Sequence, residues 1–496
     1  MKRPLKTKNH DAIIISALSA LTSVLTFSVQ VQILKNYGAN CEADAFYMGA
    51  GIPSALGSLL SGILSYILIP QFYWERDSSH GLQAALGGNL VGFTAIGIAI
   101  TTVVIIFSEP ILGTNECSKL AQKVSSVYAF AVPLTTIIAI LCAAKQVDGD
   151  LKINAILQPW PSLIQLIGIS TFGKSATLYT VSILYLMGCL SQILYLFKKT
   201  KLSTKITFGS FLKCIKKVPI TASSLAIFVS IPITDIYWAK TLGEGSLTYL
   251  ANCQRIIVGL TGILSAGVST LILNKLSSMQ NDSCKSRRQL TGEYITEYNF
   301  AAIPLILIIT LVANEIVAIV FERGQFTTTN SAEMAKLLKI IIWGMLPMGA
   351  STILFKAMYA ESKTPQATIV SLVGMLSYFL LSGKLTATMG ILGIGYAYNI
   401  VWCGILLAAL LILNPIESIG QALSRPHWLT PFITILPAIG IWNFISPRIA
   451  MANPLGRADK ALTVGYTSVV ILATFAGTWL LRNKIALAFD SKPEQK

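Results

Sequence analysis

Charge is what this sequence has least of. Asp, Glu, Lys and Arg make up only 12% of its 496 residues, about half the share found in soluble domains. A soluble chain of this length would need two or three domains with well-charged surfaces, which this composition cannot supply. The three histidines, His10, His80 and His427, lie far apart and suggest no shared site. The eight cysteines show no C-x-x-C spacing. Most fall in or beside apolar runs and read as small hydrophobes, with neither a metal site nor a disulfide framework expected. There is no G-x-x-x-x-G-K-[ST] phosphate loop and no G-x-S-x-G elbow, so no ATP-driven or hydrolytic chemistry is expected, and no cofactor.

What is present is apolar length. Hydrophobic residues make up 53% of the chain, and its mean hydropathy is +0.66. A bilayer-spanning helix needs about 20 mostly apolar residues, and about fourteen blocks meet that criterion. The first run from about 11–34 and 45–70, the fifth and seventh are about 153–172 and 218–239, and the last are about 431–447 and 461–481. The runs are continuous rather than alternating, so helices are expected and a barrel is not. The predicted class is an all-α polytopic membrane protein. The first block continues past the small-residue site near Ala20 and reads as a span rather than a cleaved signal.

The net charge of +16 then becomes a topology signal. With the N-terminus in the cytoplasm, most basic residues fall in cytoplasmic segments. These include Lys2, Arg3, Lys6 and Lys8, the cluster from Lys198 to Lys217, and the tail residues Arg482 to Lys496. An even number of spans puts both termini inside. The basic loops are read as topology signals that contact anionic lipid headgroups, and no nucleic-acid partner is expected.

Weak internal similarity suggests a duplication. Asn36-Tyr-Gly38 precedes Gly62-Ile-Leu-Ser65, and Thr241-Leu-Gly243 precedes Gly262-Ile-Leu-Ser265. Ala131-Val-Pro133 similarly parallels Met345-Leu-Pro347. This divides the chain into an N-terminal lobe of six spans (1–200), a C-terminal lobe of six (201–415), and an appendix of two (416–496). An even-span repeat keeps its orientation, so the two lobes form a parallel repeat about the membrane normal. Such a plan works as a monomer.

Charges at membrane depth are costly, and each is a functional candidate. Arg255 sits in Ala251-Asn-Cys-Gln-Arg255, about 13 Å down its helix from the preceding loop. Asp235 lies about 8 Å deep on the span before it. The two read either as a structural ion pair or as an anion-binding Arg with a carboxylate that controls it, since Arg matches phosphate oxygens in a bidentate fork. Asp44, at the start of span 2, reads as a helix cap or as a gate. Lys35 and Lys240 close spans 1 and 7 at equivalent points of the repeat. They either snorkel to the interface or draw an anionic head group toward a cavity mouth.

Three stretches resemble the MurJ/MviN family of lipid II flippases, within the multidrug/oligosaccharidyl-lipid/polysaccharide exporter superfamily. The first is Asn36-Tyr-Gly38-Ala with Asp44-Ala-Phe, Ile52-Pro53, Ser61-Gly62 and Leu68-Ile-Pro70. The second runs from Asp235 through Gly245-Ser246 and Leu250 to Arg255 and Gly262. The third combines Gly324-Gln-Phe326-Thr, Ala357-Met-Tyr359-Ala360 and Lys363-Thr-Pro365. The resemblance implies a fourteen-span fold and a cargo of undecaprenyl-pyrophosphate-linked saccharide, moved across the bacterial inner membrane by alternating access. It also implies a lipid-tail groove formed by the last two spans. Arg255, Lys35 and Lys240 are then the substrate-binding candidates, and Asp235 and Asp44 the coupling or gating ones. The driving force is a coupling cation or the membrane potential.

The sequence also departs from the family pattern. Relatives carry two Arg and an acid in the first span, where this chain has Ser23, Val29 and Gln30. An Arg pair in the second span is replaced by Gly57 and Ser58, and the acid before Arg255 is Gln254. The cavity expected here is much less positive. Other readings are therefore a flippase for a different undecaprenyl-linked saccharide, a cation-coupled small-molecule exporter, or a non-transporting membrane scaffold.

Overall fold

A computed structural model describes residues 9–413, apart from 77–80, 151, 174–176, 201–206, 279–283 and 362. The two C-terminal spans expected in 416–496 lie outside the described residues, as do Lys2, Arg3, Lys6 and Lys8. Among the described residues there are eighteen α-helices and no strand. They are α1 (Asn9–Tyr37), α2 (Cys41–Arg76), α3 (Gly81–Leu112), α4 (Glu116–Tyr128), α5 (Ala131–Val147), α6 (Ile153–Leu157), α7 (Trp160–Phe172), α8 (Leu178–Lys199), α9 (Gly209–Ile215), α10 (Val218–Ser224), α11 (Ala226–Ala239) and α12 (Ser246–Ser278). Then follow α13 (Cys284–Leu311), α14 (Ala313–Phe321), α15 (Thr328–Ile341), α16 (Met345–Ala360), α17 (Thr364–Met389) and α18 (Ile391–Leu413). Among the described residues, nine helical segments are long and apolar enough to cross a bilayer, or ten if the bent pair α9/α10 with α11 is counted as one span. The chain is a multi-pass α-helical membrane protein.

The helices cluster into two compact units. One holds the residues up to Gly267 with Arg323–Thr327 and Lys363–Ala397. The other holds Val268–Glu322, Thr328–Ser362 and the described residues from Tyr398 onward.

In the first unit α2 is the central element. Leu64, Leu68 and Phe72 are fully buried and pack with Phe93 of α3 and Ile140 and Leu141 of α5. The outer helices are polarised the opposite way to those of a soluble protein. On α17, Ile369, Val373, Leu376 and Leu380 are exposed, while Ser371, Tyr378 and Ser382 are buried. Such an apolar stripe is suited to lipid, and the polar stripe faces helix neighbours.

Several expected spans are interrupted, and at three of the breaks a side chain from another helix bonds the disturbed backbone. The block at 153–172 breaks into α6 and α7 around Gln158 and Pro159. Pro161 cannot donate to the Leu157 carbonyl, and the Gln192 amide nitrogen from α8 donates to it instead. Pro133 likewise has no N–H to offer the Ala129 carbonyl, which accepts instead from the Val132 N–H at 3.0 Å and the Thr101 hydroxyl at 2.8 Å. The seventh span bends by 58° at Leu225. There the Ile227 N–H donates to Ser371 Oγ at 3.0 Å. In a bilayer each unpaired backbone group costs several kcal/mol, so these side chains are what make the breaks tolerable.

In the second unit, Tyr298 of α13 is buried and donates its hydroxyl to the Met345 carbonyl at 2.9 Å. Its ring lies where a Cβ on Gly349 would stand. The 3-10 turn Ile342–Gly344 joins α15 to α16, and Asn399 Nδ2 donates to the Ile340 carbonyl just before it, at 2.7 Å.

The cysteine expectation is corrected. Cys41 and Cys117 form a disulfide that joins the first turns of α2 and α4. Their 76-residue separation carries no motif. The pairing arises because two helices begin side by side. Cys142, Cys189, Cys214 and Cys253 are buried, as small hydrophobes should be.

A cavity beneath a closed helix end

The first unit contains a cavity of about 550 Å³. α1 contributes Thr22, Ser23 and Thr26, α2 contributes Tyr47, Ser54 and Ser58, α11 contributes Asp235, and α12 contributes Gln254, Arg255 and Val258. Its volume lies within the usual range of about 300–1,000 Å³ for ligand pockets.

Arg255 is the cation of this cavity. Its guanidinium lies 5.8 Å from the centre of the Tyr47 ring, within cation–π range. It makes no ion pair with any described residue. The Tyr47 hydroxyl donates to Gln30 Oε1 at 2.8 Å and accepts from Asn252 Nδ2 at 3.0 Å. Tyr47 is therefore fixed by α1 and α12 together, and it presents its ring as a platform for Arg255. Gln30 serves here as a neutral acceptor.

Asp235 also lines the cavity, and it is buried. Its partners are neutral. The Tyr378 hydroxyl donates to Oδ1 at 2.6 Å, and Gln254 Nε2 donates to Oδ2. An Asp235–Arg255 ion pair, one of the sequence readings, does not form. The reason is register: Gln254, one residue before Arg255, points to α11, which turns Arg255 toward α2.

Asp44 does not cap its own helix. Asn40 does, accepting from the N–H groups of Glu42 and Ala43 at 3.1 Å each. The Asp44 carboxylate instead caps α12. It accepts from the Gly245 N–H at 2.7 Å, the Thr248 N–H at 2.8 Å and the Thr248 hydroxyl at 2.6 Å. A carboxylate at a helix N-terminus is favoured both by the free N–H groups and by the helix dipole. Gly245 has φ +84°, and a Cβ there would lie 2.9 Å from the Ala39 carbonyl oxygen, so only glycine permits this approach. One α-helical rise per residue puts Arg255 roughly 10 Å below this junction.

Lys35 and Lys240 lie outside the cavity. Lys35 is exposed at the end of α1, where its carbonyl accepts from the Gln325 N–H at 3.0 Å. Lys240 Nζ donates to the Ile111 carbonyl at the end of α3, 2.8 Å away, and sits over the Tyr237 ring. Lys240 therefore joins helix ends on the side of the Asp44 junction instead of presenting a charge to the cavity. Sequence reasoning missed Tyr47, Thr248 and Tyr378. Nothing local marks them, since each acts through a partner far away in the chain.

A cavity among the spans of a multi-pass membrane protein, lined by one guanidinium and one carboxylate, is the arrangement of a membrane transporter. The chain belongs to the family described as lipid II flippase MurJ, whose model matches residues 33–455. It is 24% identical over 376 residues to the probable lipid II flippase MurJ of Buchnera aphidicola subsp. Baizongia pistaciae, covering 71% of this chain and 73% of that one. It is 22% identical over 439 residues to the Vibrio cholerae protein of the same name, covering 80% of each. Among solved structures it resembles a lipid II flippase MurJ in an inward closed conformation, with a TM-score of 0.78 and 18% identity over 95% of this chain and all of that one. It also resembles an inward-facing multidrug-resistance MATE family transporter, with a TM-score of 0.64 and 13% identity over 82% of this chain and 99% of the other. These structural likenesses concern the fold.

Proposed function

We propose that this chain is a flippase that carries a lipid-linked oligosaccharide, lipid II, from the inner to the outer leaflet of the bacterial inner membrane, and so acts as a transporter rather than an enzyme. The observation that carries this reading is Arg255, a cavity-lining guanidinium that makes no ion pair with any described residue. A pyrophosphate leaving water needs a charge-assisted partner, and a guanidinium offers it two parallel N–H bonds. Tyr47 orients that guanidinium from one side and leaves its N–H edge for the anion.

The cycle is alternating access between the lobes 1–200 and 201–415. The Asp44 junction is the outward gate: it links α2 of one lobe to α12 of the other, and it must open for release. Asp235 is the coupling carboxylate, held by Tyr378 and Gln254. The Asp44 end faces the periplasm, which places both termini in the cytoplasm. The Cys41–Cys117 disulfide at that end supports this orientation, because disulfides persist in the periplasm and are rare in the cytosol.

The test is complementation in cells depleted of their own flippase, with leaflet-resolved accessibility of labelled lipid II. Arg255→Ala should abolish both at normal protein abundance. Full activity of that variant would sink the assignment.

A further inference from the structure

A second cavity, of about 330 Å³, opens within the first unit among α2, α5, α6, α7 and α8. It adjoins the Arg255 cavity, because Ser54 and Ser58 of α2 line both. No charged residue lines it. The lining polar groups are neutral: hydroxyls of α2, α5 and α8, two cysteine thiols, and primary amides from α5, α8 and the α6 turn.

Several of these groups are unengaged. Gln146, Asn154 and Gln158 make no side-chain hydrogen bond with a described residue, and neither does Ser58. Gln192 is 5% exposed. Its amide nitrogen holds the Leu157 carbonyl, and its Oε1 takes no described partner. Asn154 and Gln158 are one helical turn apart and both exposed, so their amides rise from the same face of the α6 turn. Each amide offers a carbonyl acceptor and two N–H donors.

We infer that this chamber is the binding site for the uncharged sugar of the cargo's head group, next to the pyrophosphate site at Arg255. This rests on the flippase reading above. The chemistry fits vicinal hydroxyls, which both donate and accept and match amides without any need for charge. Gly57 and Ser58 line this same chamber, at the positions where the family pattern has arginines. The chain thus holds the sugar end by hydrogen bonds to neutral groups and leaves charge recognition to Arg255. A site built to hydrogen-bond hydroxyls discriminates strongly against ligands that lack them.

The experiment measures binding to the purified full chain of two probes: undecaprenyl pyrophosphate, and the same lipid carrying one N-acetylhexosamine. The wild type should bind the sugar-bearing probe at least tenfold more tightly. The double variant Asn154→Leu/Gln158→Leu should bind both probes equally, with its affinity for undecaprenyl pyrophosphate within twofold of wild type. Its thermal unfolding is checked in parallel, and Gln146→Leu, on a different helix, should reduce the sugar preference independently. Equal binding of the two probes to the wild type overturns the chamber, as does an undiminished preference in both variants. The pyrophosphate reading is tested separately by Arg255→Ala, which should weaken both probes while keeping the ratio between them.

Discussion

Asp44 and Thr248 are 204 residues apart in sequence, and together they tie the start of α2 to the N-terminus of α12. A single carboxylate oxygen of Asp44 takes both the backbone N–H and the hydroxyl of Thr248, at 2.8 and 2.6 Å. This bond joins the second span to the N-terminus of the eighth. A hydrogen bond to a charged group contributes about 1.5–3 kcal/mol, so its loss should shift a two-state equilibrium measurably.

Thr248→Val removes the hydroxyl bond and leaves both backbone bonds. The expected cost to the closed state is roughly 1.5 kcal/mol, about tenfold in population. A cysteine at Val258, which lines the cavity, should then react about tenfold faster with a membrane-impermeant maleimide supplied from the periplasm, in a Cys403→Ala background. Unchanged labelling would mean that this end is not a gate.

Gly245→Ala should act on the same closure by a different route. The native φ of +84° costs an L-residue about 1–2 kcal/mol, and the new methyl meets the Ala39 carbonyl. Periplasmic labelling of the Val258 cysteine should again rise. If the substitution merely lowered protein abundance without raising labelling per molecule, the glycine would be a folding requirement only.

Tyr47→Phe and Tyr47→Leu separate two roles of one side chain. Phe keeps the ring under Arg255 and loses the link to Gln30 and Asn252. Leu loses the ring as well, and with it a cation–π contact worth about 0.5–2 kcal/mol. Flipping should fall modestly in the first and several-fold further in the second. Equal activity of the two would remove the platform role of the ring.

Tyr378→Phe leaves the buried Asp235 carboxylate short of one donor. Stability should fall by about 1–3 kcal/mol, read as a lower unfolding midpoint in detergent. Asp235→Asn should retain undecaprenyl-pyrophosphate binding and lose the dependence of flipping on an ion gradient or membrane potential. Retained dependence would exclude Asp235 as the coupling group.

Cys41→Ser should destabilise the chain by about 2–4 kcal/mol, the usual contribution of a disulfide. In intact cells the Cys41–Cys117 pair should react with a periplasmic maleimide only after reduction. Reactivity from the cytoplasmic side alone would invert the proposed topology.

Much of this protein was legible one helix at a time. Apolar length located the nine or ten spans found among the described residues, and the rule against buried charge singled out Arg255, Asp235 and Asp44. Pairing between distant helices was not legible. Asp44 looks like a local cap because capping needs only an acid near a helix start, and the sequence does not say whose helix is capped. Asn40, four residues earlier, takes the local role. The Asp235–Arg255 pairing was suggested by their closeness in the chain. Tyr378, 143 residues beyond Asp235, competes for the carboxylate through a helix contact that no periodicity reveals. Lys240 could not be told from a snorkelling lysine until the end of α3 arrived beside it. The disulfide was hidden for the same reason.

The interrupted fifth span bears on how the protein enters its membrane. Gln192 supplies the donor that Pro161 withholds from the Leu157 carbonyl. Until α8 has been synthesised, the α6–α7 segment carries an unmet carbonyl and a break, which makes it a poor candidate for stable insertion by itself. The fifth and sixth spans should therefore enter the bilayer as a hairpin. Gln192→Leu would then show its first defect during biogenesis, as a fifth span left on the wrong side of the membrane, before any step of transport is reached.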